Sequence, residues 1–296
     1  MKFNMVGAFI RNAPFGTEIA FKKGLERLGH TVNAIDTSYP DQVWDHDADA
    51  TIVFKWMEAY WEDLKKCKRN RNVYQPDDAR FPHITEMLAM MRPYCDYALT
   101  FDKNAAQNIT PRLGYLKSER LLLTADDELY RPLGLARDID FCFVGSLSGV
   151  NGPHKSRNRM IDVLRSNGFI VWAGEVNDVH EIVRLYNRSK VALNHATDVG
   201  QAFGDGYGLQ CRHFEVGLTQ TYLLTNSCDE IGDVDTGVLW NCDTFYDEDS
   251  LVRLAEEALD CNEYREKEAK NFFEEIMQDH LPQHRAAGIV RFVESL

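Results

Sequence analysis

The feature that most constrains this chain is an alternation that runs through it twice. Short runs of buried-strand character are separated by segments whose apolar residues recur at helical spacing, and that rhythm builds parallel sheets covered by helices on both faces. Residues 3–10 read as a first strand. The loop Arg11-Asn12-Ala13-Pro14-Phe15-Gly16-Thr17 then opens a helix with Phe21, Leu25 and Leu28 on one side, stopped by Gly29. Strands are expected over 31–35, 50–54, 72–75, 97–101 and 120–124, with helices over 84–91 and 105–113. Residues 125–138 contain Pro132 and Gly134 and lack periodicity, which suits a connection between domains.

A second set follows, with strands over 139–144, 169–172, 191–194 and 222–225. Helices are expected over 157–167, 180–188 and 211–218, and two more from Ser250 onward. The expected fold is α/β, two Rossmann-like domains facing a cleft, over residues 1–135 and 136–280. Residues 281–296 form a last helix whose Ile289, Val290, Phe292, Val293 and Leu296 must pack on something, the first domain being one choice.

Charge and cysteine usage narrow the partners. Acidic residues outnumber basic ones 46 to 33, a net charge of −13, so polyanions and anionic membranes are disfavoured. The run Lys65-Lys66-Cys67-Lys68-Arg69-Asn70-Arg71 is a local exception, or else a solvated helix end. Seven cysteines, odd in number and never spaced as Cys-x-x-Cys, fit a reduced compartment and not a zinc site. No apolar run is long enough for a membrane span and Met1-Lys2-Phe3-Asn4 runs straight into a strand, so a cytoplasmic protein is expected.

Two loops carry candidate chemistry. In the stretch from Asn194 and His195 to Glu215, Asp205-Gly206-Tyr207-Gly208 lies between a strand and a helix, where backbone amides approach an anion closely. Arg212 can add a bidentate phosphate contact, and Glu215 follows one turn later; the two can also simply pair as helix neighbours. The second loop begins Val144-Gly145-Ser146, with Lys155 and Arg157 at the start of the next helix; it matches neither a Walker loop nor the dinucleotide fingerprint. In the first half, Arg11, Gly16, Thr17 and Glu18 occupy the loop after the first strand, the acceptor side of such a cleft. Asp77 or Asp78 is a candidate general base, although adjacent aspartates in a turn also make Asx turns and caps. No histidine spacing suggests a metal site.

These residues resemble a known family. Phe143-Val144-Gly145-Ser146, the segment 186–194, Arg212-His213-Phe214-Glu215-Val216-Gly217 and Tyr222-Leu223-Leu224-Thr225 are similar to the spore-maturation-type branch of the group 1 glycosyltransferases with the GT-B fold. Phe15-Gly16-Thr17-Glu18, Leu28-Gly29-His30-Thr31-Val32, Asp77-Asp78 and Tyr130-Arg131-Pro132-Leu133 extend the resemblance forward.

The resemblance implies transfer of a sugar from a nucleotide sugar, a uridine diphosphate sugar first among them, without a metal or other cofactor. The acceptor is a hydroxyl on a glycan, small molecule, protein or modified nucleic acid. Glu215 would hold the donor ribose, Arg212 and the Gly145-Ser146 loop the diphosphate, and the 205–208 turn the sugar. Related retaining enzymes carry glutamate eight residues before the ribose-binding one, where this chain has Tyr207, and Gln220 stands where glycine is common. Two rivals follow: a transferase acting on a hydroxylated base in DNA, and a nucleotide-sugar-binding protein without turnover.

Overall fold

The computed structural model describes residues 1–12, 14, 16–39, 41–54, 60–75, 82–147, 155–195, 205–206, 208–228, 231 and 242–296, the side chains at 69, 82, 205, 206, 227 and 228 excepted. The chain divides into two compact units, Met1–Thr124 with Leu281–Leu296, and Ala125–His280.

In the first unit β1 (Lys2–Gly7), α1 (Thr17–Arg27), β2 (Thr31–Asp36), β3 (Ala50–Val53), α2 (Trp61–Lys66), β4 (Asn72–Tyr74), α3 (Pro82–Met91), β5 (Tyr97–Thr100), α4 (Thr110–Arg112) and β6 (Lys117–Arg120) follow in order. The strands form a parallel sheet ordered β2-β1-β3-β4-β5-β6. Successive side chains of a strand point to opposite faces, and both faces are apolar, as a sheet covered twice requires. Phe3, Met5, Ile52, Val73 and Leu99 pack on Phe21 and Leu25 of α1, while Val6, Val53, Tyr74 and Ala98 pack on Leu64, Ile84, Leu88 and Met91.

The second unit holds β7 (Ile139–Val144), α5 (Lys155–Ser166), β8 (Val171–Gly174), α6 (Val179–Arg188), β9 (Ser189–Asn194), β10 (Asp205–Gly206), α7 (Cys211–Leu218), β11 (Tyr222–Cys228), β12 (Asp243–Phe245), α8 (Glu248–Asp260) and α9 (Asn262–Asp279). Its parallel sheet runs β10-β11-β9-β7-β8, with β12 also on β11. Phe141, Phe143, Val191, Leu193, Tyr222 and Leu224 pack against α5 and α8 through Met160, Leu164, Leu251 and Ala255. On the other side α7 and α9 approach closely, since a Cβ on Gly217 would lie 2.2 Å from Ile276 Cδ1.

The last helix, α10 (Pro282–Glu294), belongs to the first unit. Its Ala286, Ile289, Phe292 and Val293 complete the cluster around α1. The helices touch backbone to backbone: a Cβ on Gly24 would lie 2.2 Å from the Pro282 carbonyl oxygen. Arg71 Nη1 donates to the Val293 carbonyl at 2.8 Å.

Some boundaries differ from those the pattern predicts. The first strand stops at Gly7 rather than at residue 10, because the Ala8 and Ile10 amides are taken by the carboxylates of Glu18 and Asp36 instead of a ladder partner. The edge strand β6 is the polar run Lys117–Arg120, not 120–124; charged residues are what a sheet edge tolerates, and the apolar Leu121 beyond it drops into the core. Residues 105–112 begin with a π turn, Ala105–Ile109, around which Thr110 Oγ1 donates back to the Ala105 and Ala106 carbonyls. Helix α2 and strand β12 are too short for periodicity to register.

Candidate functional site

In a parallel sheet the loops that carry function leave the carboxyl ends of the strands, and in the second unit β7, β9 and α7 meet there. Strand β7 ends at Val144, and Gly145 follows with φ 155°, a conformation that side chains rarely adopt. A Cβ at Gly145 would lie 2.7 Å from Arg212 Nη2. The glycine therefore lets the backbone of one predicted loop come up against the guanidinium of the other.

Arg212 stands in the first turn of α7 and is held from two sides. Its guanidinium carbon lies 4.9 Å from the centre of the Phe143 ring, and Nη1 donates to Asn194 Oδ1 at 2.6 Å. A second arginine shares the ring: the Arg157 guanidinium carbon is 5.7 Å from its centre, and Arg157 Nη1 donates to the Ser146 carbonyl at 3.3 Å. Two cations held at one aromatic ring form a pre-oriented locus for an anion.

Glu215, one turn along α7 and half-buried, sits between two tyrosines. Tyr186 donates to Oε2 at 3.5 Å, and the Tyr130 hydroxyl also bonds the carboxylate. Burial pushes the Glu215 carboxyl up, opposed by the charge of Arg212 and by both hydroxyls. Tyr130 and Tyr186 are almost fully buried, and burial, then the Glu215 charge, raises both phenols. The carboxylate and the guanidinium are neighbours on one helix, yet each has other partners.

Beneath Arg212 lies a buried polar cluster. Asn194, His213 and Thr225 are each 0% exposed. Asn194 and Thr225 stand opposite each other in the register of β9 and β11. Asn194 Nδ2 donates to Thr225 Oγ1 at 3.0 Å and lies 3.2 Å from His213 Nε2. Burial brings the His213 imidazole down to about 4, with Arg212 pushing the same way against a bond to the Gln210 backbone.

The remaining predicted residues fall as follows. Lys155 is exposed at the start of α5 and lines a groove of about 1220 Å³ along α5 and α8 that neither Arg212 nor Glu215 reaches. Arg159, one turn further along α5 and not among the predicted residues, is bonded to Glu248. His195 is fully buried beside Phe245. Gly208 is buried with φ 66°, and Asp205-Gly206 pairs with Ser227-Cys228 of β11. Tyr207, Asp77 and Asp78 lie outside the described residues.

In the first unit Arg11 is exposed, and Gly16 and Thr17 begin α1. Glu18 is 3% exposed and points inward, accepting from the Ala8 amide at 3.0 Å and from Asn12 Nδ2 at 2.8 Å, so that it shapes the loop after β1. Two of the five cations in the basic run beginning at Lys65 have carboxylate partners, Lys65 with Glu62 and Lys66 with Asp63, and Arg71 donates to a carbonyl of α10. Among the described residues no cluster of histidine, cysteine and carboxylate suits a metal, and no helix is long and apolar enough to cross a membrane.

Tyr130, Tyr186 and Asn194 are the partners that sequence reasoning did not attach to Arg212 and Glu215. The signal was their presence among the residues that carry the resemblance, Tyr130 in the connection and Tyr186 and Asn194 in the segment 186–194; spacing gave no pairing.

This architecture is shared by glycosyltransferases of the GT-B class. The structure of T4 phage BGT in complex with its UDP-glucose substrate aligns with a TM-score of 0.68 at 11% identity over 100% of both chains. Anabaena Alr3699/HepE in complex with UDP-glucose aligns at 0.64 with 13% identity, again over 100% of both. Sucrose-phosphate synthase from Thermosynechococcus elongatus gives 0.64 at 9% identity, over 100% of this chain and 98% of that one. No curated protein matches the sequence. Residues 128–291, more than half of the chain, match the family model described as glycosyl transferase-like, and the chain belongs to that family. It is a glycosyltransferase.

Proposed function

We propose that the protein transfers a sugar from a uridine diphosphate sugar to a hydroxyl acceptor, in the cytoplasm, as a member of the spore-maturation-type branch. The observation that carries this reading is the pair of guanidinium groups, Arg157 and Arg212, fixed on the Phe143 ring beside Gly145. Glu215 stands one helical turn away. A diphosphate suits the first feature, and a ribose diol, which donates two hydrogen bonds, suits the carboxylate. The UDP-glucose held by two proteins of the same fold supports uridine as the base.

On this reading the work of the site is electrostatic. As the bond from the anomeric carbon to the diphosphate breaks, negative charge accumulates on the leaving oxygens, and fixed guanidinium groups stabilise it with little reorganisation. The acceptor hydroxyl attacks and surrenders its proton to a carboxylate, for which Asp77 and Asp78 are our candidates. Arg11, Gly16 and Thr17 lie on the acceptor side, with Glu18 setting their loop. For the sugar our candidates are Asp205, Gly206, Tyr207 and Gly208, as the resemblance implies.

A DNA acceptor has a precedent in fold alone, an alpha-glucosyltransferase in complex with UDP and a 13-mer DNA. Here the net charge of −13 and the ion pairs of Lys65 and Lys66 weigh against it.

The test is thermal stabilisation across a panel of nucleotides and nucleotide sugars, followed by turnover with the best donor. Ligand at 100 times its Kd raises stability by about 2.7 kcal/mol, a readily measured shift. Stabilisation by uridine nucleotides, weakened in Arg212→Ala and Glu215→Gln, is the expected result. A flat response to every nucleotide sinks the reading, and donor binding without turnover or hydrolysis points to the non-catalytic alternative.

A further inference from the structure

We infer that Asn194 is a positioning residue: together with His213 and Thr225 it forms a buried relay that aims the Arg212 guanidinium, and it acts on a bound nucleotide only through that arginine. The inference rests on the nucleotide reading above for its functional consequence, but its geometry stands alone.

An amide side chain has one acceptor end and one donor end, and the network around it decides which way it faces. Arg212 has only donors, so the atom 2.6 Å from Nη1 must be the Asn194 oxygen. The amide nitrogen then faces Thr225 Oγ1 at 3.0 Å and lies 3.2 Å from His213 Nε2. Across the ring, His213 Nδ1 accepts from the Gln210 backbone amide at 3.0 Å, which fixes the imidazole in place. Burial holds that ring in its neutral form.

The bonds that fix the amide run from the guanidinium to the Asn194 oxygen, and from the Asn194 nitrogen to Thr225. All three relay side chains are 0% exposed, so none offers surface of its own to a ligand. Reversing the amide would set its NH2 against the guanidinium, a donor facing a donor at 2.6 Å. The relay thus admits one orientation, and it keeps Arg212 over Phe143 rather than extended into solvent.

Two measurements on the full chain test this. In the ligand-free protein, nitrogen NMR of the arginine side chains should show hindered rotation of one guanidinium, assigned through its loss in Arg212→Ala. Asn194→Leu should release it, and Asn194→Asp, which keeps an oxygen towards Arg212, should retain it. The second measurement is UDP affinity by calorimetry. Asn194→Leu and Arg212→Ala should each weaken UDP by tenfold or more, the double variant no more than Arg212→Ala alone, and Asn194→Asp should stay within about threefold of wild type.

Losses that multiply in the double variant, or unchanged affinity in Asn194→Leu, overturn the relay. Should Asn194→Leu fail to fold, the nearly isosteric Thr225→Val takes its place, with a smaller loss that must likewise vanish in the Arg212→Ala background. If wild type shows the hindered guanidinium but binds no UDP, the nucleotide reading fails while the relay stands. A freely rotating Arg212 in wild type refutes the relay whatever binds.

Discussion

Replacing Gly145 by alanine should disable Arg212 without touching it. The new Cβ would sit 2.7 Å from Nη2, whereas an ordinary contact begins near 3.4 Å, so a displacement of about 0.7 Å is forced. A free arginine tip would swing aside at little cost. This one is bonded to Asn194 and laid on Phe143, so moving it forfeits a charge-assisted hydrogen bond of about 1.5–3 kcal/mol and a cation–π contact of about 0.5–1 kcal/mol.

The backbone adds its own cost, because φ 155° strains any residue with a Cβ by about 1–3 kcal/mol. Partial relaxation should bring the net destabilisation to about 2–4 kcal/mol. Urea unfolding of Gly145→Ala, Arg212→Ala and the double variant separates the two parts, since the strain persists without Arg212 and the clash does not. The expected coupling is about 1–2 kcal/mol. If Gly145→Ala costs the same in both backgrounds, to within about 0.5 kcal/mol, the steric argument is wrong and only the dihedral matters.

Two further outcomes concern the same helix. His213 has a folded value of about 4 against an ordinary 6.5, so the folded state resists protonation; its contribution is complete above about pH 6.5 and is lost as pH falls through about 4. Over that window the loss amounts to about 3 kcal/mol, and the difference between the pH–stability curves of wild type and His213→Gln should show a one-proton slope there; parallel curves would refute it. Gln220 ends α7 at φ 53°, a left-handed residue that carries a Cβ, so Gln220→Gly should raise stability by about 0.5–1 kcal/mol in thermal unfolding, and a loss would mean that its side chain packs more usefully than its backbone suffers.

Period alone disclosed the two parallel sheets, because strands buried on both faces are continuous apolar runs and each helix shows a stripe. What it missed has physical reasons. An edge strand such as Lys117–Arg120 is chosen for charge, and the first strand ends where the side chains of Glu18 and Asp36 capture its amides. For the candidate site, the spacing of Arg212 and Glu215 put both on one side of a short helix. Their actual partners come from 18 to 85 residues away, in Asn194, Tyr186 and Tyr130, all within segments that carry the family resemblance, but spacing alone does not pair them with Arg212 or Glu215. Glu18 shows the opposite hazard: a carboxylate in a functional-looking loop turns out to be 3% exposed and occupied with the loop itself. Gln220 was visible as an oddity, and its dihedral supplies the reason glycine is favoured there.

The return of the last helix has a consequence for biosynthesis. Because Leu281–Leu296 completes the core around Phe21 and Leu25, the unit whose synthesis starts first cannot close until residues 281–296 have also been made. Ala125–His280, an uninterrupted stretch, has all its own parts earlier. The order of completion therefore inverts the order of translation, and through that delay the side of the sheet shared by α1 and α10 stays only partly covered, the kind of exposed apolar surface that holding chaperones bind.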